Sequence, residues 1–270
     1  MTRALVTIGM VGVAVATAAI SRGVHTFRSP QVMPIITPTM NAEAAIMPKF
    51  GERVVRIFES HMPGVRRPRL IALTFDDGPY PVETPLLLDQ LRALDVHATF
   101  FLIGRDATQF PELTTRIERD GNEIANHTLT HPELDHLSPQ AVERELSLGA
   151  EALERIVDDP SIQREMRPPH GRFTAATIEI AQRAGYDVIL WTEDPGDWRT
   201  VSPAALASRV IEHATAPDIV LLHSGRMATI QMLPQVVARF RRAGYTFVTV
   251  RELMARVPMD EIDRPIHVAI

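Results

Sequence analysis

Two histidines four residues apart, His127 and His131, can present their imidazoles to one side of a helical turn or tight loop, a spacing that suits zinc and similar divalent ions. Between them Thr128, Leu129 and Thr130 carry no carboxylate, so a third ligand and a proton acceptor must come from elsewhere. The adjacent pair Asp76-Asp77, within Thr74-Phe75-Asp76-Asp77-Gly78-Pro79, fits that need. Neighbouring side chains on a strand point to opposite sides, so both aspartates serve one site only where the strand has just ended. Gly78-Pro79 marks such an end. Three more blocks offer charged or protonatable groups: Arg167-Pro168-Pro169-His170-Gly171, Asp194-Pro195-Gly196-Asp197-Trp198 and Leu221-Leu222-His223. Brought to one pocket, these side chains would make a metal-dependent hydrolytic site.

Composition removes the competing chemistries. Cysteine is absent, which excludes thiolate metal sites, a cysteine nucleophile and disulfides, and leaves His, Asp and Glu as ligands. The single lysine, Lys49, precedes every block, so neither a phosphate loop of the Walker type nor a Schiff-base lysine belongs to the core. No Gly-x-Ser-x-Gly elbow occurs. With a formal net charge of −5 and scattered arginines, there is no basic stripe for nucleic acid. At 270 residues, 45% of them hydrophobic, the chain can build one full-sized core with a tail.

The elements that must position these groups follow from periodicity. Apolar or β-branched runs at 70–75, 98–103, 123–126, 188–192, 219–223 and 245–250 predict strands, and helical spacing occupies 83–93, 111–119, 139–157, 174–184, 203–213 and 229–243. Pro139 and Pro203 suit first helical turns after Ser138 and Ser202, while Gly121, Gly185 and Gly244 stand where helices should stop. Alternation of the two element types implies an α/β fold with parallel strands, with too few units for a regular eight-fold barrel. Several blocks fall at or just after a predicted strand, where such a barrel gathers its chemistry.

Ahead of this region, the low-charge run 4–20 after Arg3, with the small-x-small pattern Ala16-Thr17-Ala18, predicts either a signal peptide or an uncleaved membrane tether, and hence an exported protein of the periplasm, cell envelope or medium. Prolines punctuate 21–68, which reads as an extended linker with one short helix near 50–59.

The order and wording of the five blocks resemble the polysaccharide deacetylase family, carbohydrate esterase family 4. That resemblance implies a distorted, incomplete (β/α) barrel with a parallel inner sheet over 69–256, followed by a C-terminal tail at 257–270. It also implies Asp77, His127 and His131 as ligands of one divalent ion, with zinc expected first and other first-row ions compatible with the same set. Asp76 resembles the general base and Arg167 the arginine that contacts it. His223 resembles the general acid, and Asp197 the carboxylate that orients it. Trp198 and Leu221 match apolar walls around the acetyl methyl. His170 stands where the family usually has tyrosine, at a position whose backbone N–H faces the oxyanion. The implied activity is removal of N-acetyl groups from an amino-sugar polymer or oligomer, with release of acetate. Two other readings stay open: an O-acetyl esterase or small-amide hydrolase on the same fold, and a carbohydrate-binding relic without turnover. The remaining histidines fit no ligand spacing and read as structural or surface groups.

Overall fold

The computed structural model describes residues 54–55, 68–157, 162, 164–199, 201–214 and 216–257. The predicted signal or tether, most of the linker and the tail beyond Val257 lie outside the described residues.

Eight strands are described: β1 (Val54–Val55), β2 (Leu70–Asp76), β3 (Thr99–Leu102), β4 (Glu123–Asn126), β5 (Glu165–Met166), β6 (Asp187–Ile189), β7 (Asp218–His223) and β8 (Thr246–Phe247). They form one sheet in the order β1-β6-β5-β4-β3-β2-β7, with β8 pairing the first two residues of β2, and every pairing is parallel. The helices are α1 (Glu83–Ala93), α2 (Gly104–Gln109), α3 (Pro111–Arg119), α4 (Pro139–Glu154), α5 (Ala175–Arg183), α6 (Pro203–His213), α7 (Met227–Arg242) and α8 (Val250–Arg256). Past β6, Glu193 bridges Val220 of β7, and Leu221 N–H donates to the Glu193 carbonyl at 2.9 Å. This contact draws the two ends of the strand series together into an incomplete (β/α) barrel. No helix among the described residues is long and apolar enough to cross a membrane.

Alternation along the strands sorts side chains between two layers. Ile71, Leu73 and Phe75 of β2 face the helices, packing with Leu87, Leu88 and Leu91 of α1 and with Leu233 and Val236 of α7. Leu70 and Ala72 point into the barrel with Phe101, Ala125, Ile189 and Ile219. The same parity carries Thr74, Asp76, His127, Arg167, Leu221 and His223 towards the inside, at the C-terminal ends of their strands.

Helix termini follow the sequence signals. The Ser138 and Ser202 side chains accept from Ala141 and Ala205 N–H, capping α4 and α6. Three expectations need correction. Within the predicted linker, Val54–Val55 forms a strand against β6 rather than part of a helix. Its two β-branched residues gain more from pairing a sheet edge than from a helical turn. The strand predicted over 245–250 is confined to Thr246–Phe247, because Thr249 and Glu252 form a capping box that starts α8 at once. The run 188–192 is divided, its first residues in β6 and Thr192 bonded to the Ile219 carbonyl of β7.

The N-terminal end of the barrel is plugged by polar groups. Glu123 and Glu165, the first residues of β4 and β5, are buried and share Arg251 of α8, whose Nη2 lies 3.4 Å from Glu123 Oε1 and 3.1 Å from Glu165 Oε2. Thr99 Oγ1 donates to Glu123 Oε2 at 3.0 Å. Burial, followed by the hydrogen bond and charge of Glu123, pushes the Glu165 carboxyl up to about 9. Glu165 therefore keeps its proton at neutral pH in the folded protein but loses it in the unfolded chain, which costs stability as pH rises from about 4.5 to about 9. Glu165→Gln should raise the melting temperature at pH 8 by a few degrees, on the order expected for about 1 kcal/mol, and by less at pH 5. Thermal unfolding at the two pH values checks this; equal destabilisation at both would refute a proton held by Glu165 in the folded protein.

Candidate active site

Asp76 ends β2, and the next residue breaks strand geometry with φ of 68°. Strict alternation would turn Asp77 away from Asp76; the left-handed backbone brings it back over the barrel mouth. Ser224 Oγ donates to the Asp76 and Asp77 carbonyls at 3.2 and 3.1 Å, holding this corner against the end of β7.

Two residues of the His127–His131 loop are equally unusual, with φ of 69° at Thr128 and 62° at His131. Such values are strained for any side chain and most of all for a β-branched one. The loop is held by its surroundings. Asn126 Oδ1 accepts from Thr128 N–H at 2.8 Å, Thr128 Oγ1 accepts from His131 N–H at 3.1 Å, and the Glu145 carboxylate takes Thr130 N–H at 2.9 Å and Thr130 Oγ1 at 2.8 Å.

This geometry gathers one oxygen of Asp77 and one nitrogen from each histidine, all within 4.8 Å of one another. His131 Nε2 lies 3.2 Å and His127 Nε2 3.8 Å from Asp77 Oδ1. His127 is fully buried and its Nδ1 sits 2.8 Å from the Arg167 carbonyl, which can only accept. The proton is thereby assigned to Nδ1, and the Nε2 lone pair faces the cluster as a ligand requires. Burial lowers the His127 pKa further, favouring the neutral imidazole. Burial would raise the Asp77 carboxyl, yet its hydrogen bond to His131 and the charges of His127, His131 and His223 bring it down to about 2. A basic nitrogen pair and an ionised carboxylate on one side of an open mouth fit a divalent cation.

Asp76 has a different environment. The buried guanidinium of Arg167 donates through Nη1 to Asp76 Oδ1 at 2.6 Å and to Thr74 Oγ1 at 2.8 Å. Its Nε and Nη2 reach the Ile189 and Leu190 carbonyls at 3.2 and 3.1 Å, and its Cζ lies 4.0 Å from the Phe101 ring centroid. Asp76 Oδ2 remains 3.8 Å from His127 Nε2. One oxygen is thus occupied by arginine and the other is free beside the metal trio.

On β7, His223 is the register partner of Asp76. Its Nδ1 lies 2.7 Å from Asp197 Oδ1, and its own N–H donates to Asp197 Oδ2 at 2.8 Å. Thr229 Oγ1 completes the grip on Asp197 Oδ2 at 2.7 Å. Burial alone would lower the imidazole pKa; the Asp197 hydrogen bond and charge, then Asp76 and Asp77, raise it to about 9.

The predicted substrate-side residues surround these groups differently. Leu221 is buried on β7 beside Thr74, whereas Trp198 is 47% exposed, with Arg199 Cζ 4.5 Å from its ring centroid. His170 is exposed on a one-turn 3-10 segment with φ of 56°, its ring edge-on to His131 at 4.5 Å between centroids. In that turn Gly171 and Arg172 N–H close onto Pro168 and Pro169 carbonyls. Asp194 accepts from Gly196 N–H at 2.8 Å, a loop-supporting contact. His213 pairs with Glu193 at 3.4 Å and His136 with Glu133 at 2.9 Å, and neither histidine belongs to the trio.

Sequence reasoning gave no role to Thr74, Asn126, Glu145, Ser224 and Thr229, which position the reactive groups through hydrogen bonds. It also missed Gly149 on α4. A Cβ there would lie 2.7 Å from Asn126 Oδ1 and 2.8 Å from the Thr128 carbonyl carbon. Helix propensity alone would make Gly149→Ala stabilising by ~1 kcal/mol. We expect instead about tenfold weaker divalent-ion binding, because the histidine loop must shift. A metal titration checks this; unchanged affinity would show that the loop tolerates displacement.

Comparison with known proteins agrees with this geometry. The family model described as polysaccharide deacetylase matches residues 64–189. A peptidoglycan-N-acetylglucosamine deacetylase of Bacillus cereus is 37% identical over 191 residues, spanning 69% of this chain and 88% of the relative. A chitooligosaccharide deacetylase of a Bradyrhizobium species is 35% identical, spanning 66% and 87%. Among solved structures, a peptidoglycan N-acetylglucosamine deacetylase in complex with an N-oxidanyl-benzamide superposes with a TM-score of 0.66 at 30% identity, covering 68% of this chain and 87% of the other. A barrel with its metal trio, buried Asp–Arg pair and Asp–His pair at one mouth, and this level of identity over nearly whole relatives, lead to one conclusion: the chain belongs to the polysaccharide deacetylase family, carbohydrate esterase family 4.

Proposed function

We propose that the protein is a metal-dependent hydrolase that removes N-acetyl groups from an amino-sugar polymer or oligomer. The observation that carries this reading is the register pairing of Asp76 with His223, which sets a proton acceptor and a proton donor on neighbouring strands beside the Asp77, His127 and His131 trio. Asp77, His127 and His131 would hold a divalent ion, zinc in the first instance, which when bound would supply Lewis-acid polarisation of the acetamide carbonyl. Asp76 takes the proton of the attacking water through its second oxygen, while Arg167 holds the other oxygen and fixes the carboxylate in place. His223, protonated and oriented by Asp197, delivers a proton from Nε2 to the departing amine as the carbon–nitrogen bond breaks. Acetate and a free amino sugar result. The His170 N–H offers a donor to the developing oxyanion, and Leu221 with Trp198 limits the acyl group to a small one.

The run at 4–20 would deliver the enzyme to the cell envelope, as a cleaved signal or as a tether. The substrate reading is tested by acetate release from chitin oligomers, peptidoglycan and acetylated xylan, with metal-loaded and chelator-treated protein. Metal-dependent release from the first two supports it. Activity confined to acetylated xylan would establish the O-acetyl esterase reading instead.

A further inference from the structure

Three of the exposed large apolar side chains stand on neighbouring segments of the barrel mouth: Val82 (63% exposed) after β2, Trp198 (47%) after β6 and Met227 (42%) after β7. These strand ends are contiguous, since β7 pairs both with β2 and with Glu193 beyond β6. Tyr80 joins the arc, its ring so close over Gly225 that a Cβ there would meet it at 2.7 Å. An apolar arc with one aromatic ring exposed suits the flat faces of sugars.

The arc also carries charge. Arg199 follows Trp198 and stacks on it, and Arg226 precedes Met227 as the N-terminal cap of α7. Both are exposed, and neither has an ion-pair partner among the described residues. Other arginines near the mouth are engaged: Arg105 with Asp106, Arg172 with Asp135 and Glu133, and Arg209 with the Pro195 carbonyl. The nearby acids include Glu83, which heads α1 on the β2 side, and Asp194, whose carboxylate is tied to Gly196 N–H. Asp197 and His223 touch each other, and Arg199 and Arg226 follow them in the chain by two and three residues, so both cations belong to the two segments that carry the proton donor and its partner.

Resting on the deacetylase reading, we propose that Arg199 and Arg226 recognise carboxylates borne by the glycan, which makes the preferred substrate an anionic amino-sugar strand of the peptidoglycan type rather than neutral chitin. A guanidinium paired with a carboxylate at an apolar-lined mouth discriminates by charge and by hydrogen-bond geometry.

The metal-loaded full chain would be given three glycans: a neutral N-acetylglucosamine oligomer, a peptidoglycan fragment with free carboxylates, and the same fragment with its carboxylates amidated. The expected result is a kcat/KM at least about tenfold higher on the free than on the amidated fragment, narrowing as salt is raised. In Arg199→Gln/Arg226→Gln that ratio should collapse towards one, and in Arg199→Lys/Arg226→Lys it should be partly retained. Equal rates on free and amidated fragments, or a ratio unchanged by the glutamine substitutions, would overturn the proposal. No turnover on any glycan would refute the deacetylase reading instead, and calorimetric Kd values for the same three glycans would then still decide the role of the arginines.

Discussion

Asp76→Asn is expected to lower kcat by roughly a thousandfold while the protein still binds its divalent ion, whereas His127→Ala should lose ion and activity together. The two aspartates stand equally far, 3.8 Å, from His127 Nε2, so that distance does not separate base from ligand. Their other neighbours do. Asp77 Oδ1 is 3.2 Å from His131 Nε2, and Asp76 Oδ1 is taken at 2.6 Å by Arg167. An amide at position 76 keeps the shape and can still accept from Arg167, but it removes the proton acceptor. It also leaves a buried guanidinium without its counter-charge, a loss that reaches about 3 kcal/mol where no other acceptors remain. Thr74 Oγ1 and the Ile189 and Leu190 carbonyls should reduce that cost here. Metal-to-protein stoichiometry, kcat and a melting curve on the same two variants separate the effects. Equal metal loss in both would make Asp76 a ligand.

The second large effect concerns pH. With His223 raised to about 9, its imidazole is charged at neutral pH, and the rate should fall as the proton is lost on the alkaline side. A bound cation offsets the contribution of Asp76 and Asp77, so the alkaline limb of the loaded enzyme should lie between the ordinary ~6.5 and about 9. Asp197→Asn removes the larger contribution, which should move this limb down and reduce kcat by about a hundredfold. The stability sign is the same. A histidine whose folded pKa exceeds its unfolded value adds stability below about 6.5 and loses it as pH climbs through about 9. The pH–rate profiles of both proteins, with melting curves of the metal-free forms, check this. An alkaline limb unmoved by Asp197→Asn would remove His223 as the proton donor.

Much of the fold and site could be read from residue order, because period-two strands and chemically distinctive side chains announce themselves locally. Asp76, Arg167 and His223 fall at strand ends with the parity that faces the barrel. What escaped detection is what depends on distant contacts. The two-residue β5 is too short to show alternation, and Thr74, Ser224 and Thr229 become informative only once their partners are in place. Gly149 resembles any helical glycine until Asn126 and Thr128 are seen pressed against it. The start of α8 was hidden because Thr249 and Val250 are good strand formers, and the reciprocal Thr249–Glu252 cap outweighed that tendency.

Asp76 and His223 hang from adjacent hydrogen-bonded strands, whose spacing is an invariant of sheet geometry at ~4.8 Å. Rim loops other than the one that carries Asp197 and the one that carries His131 can therefore lengthen, shorten or change what they bind without moving the proton acceptor and donor beneath them. A scaffold of this kind lets new substrates be explored at the periphery while the reaction itself is inherited intact.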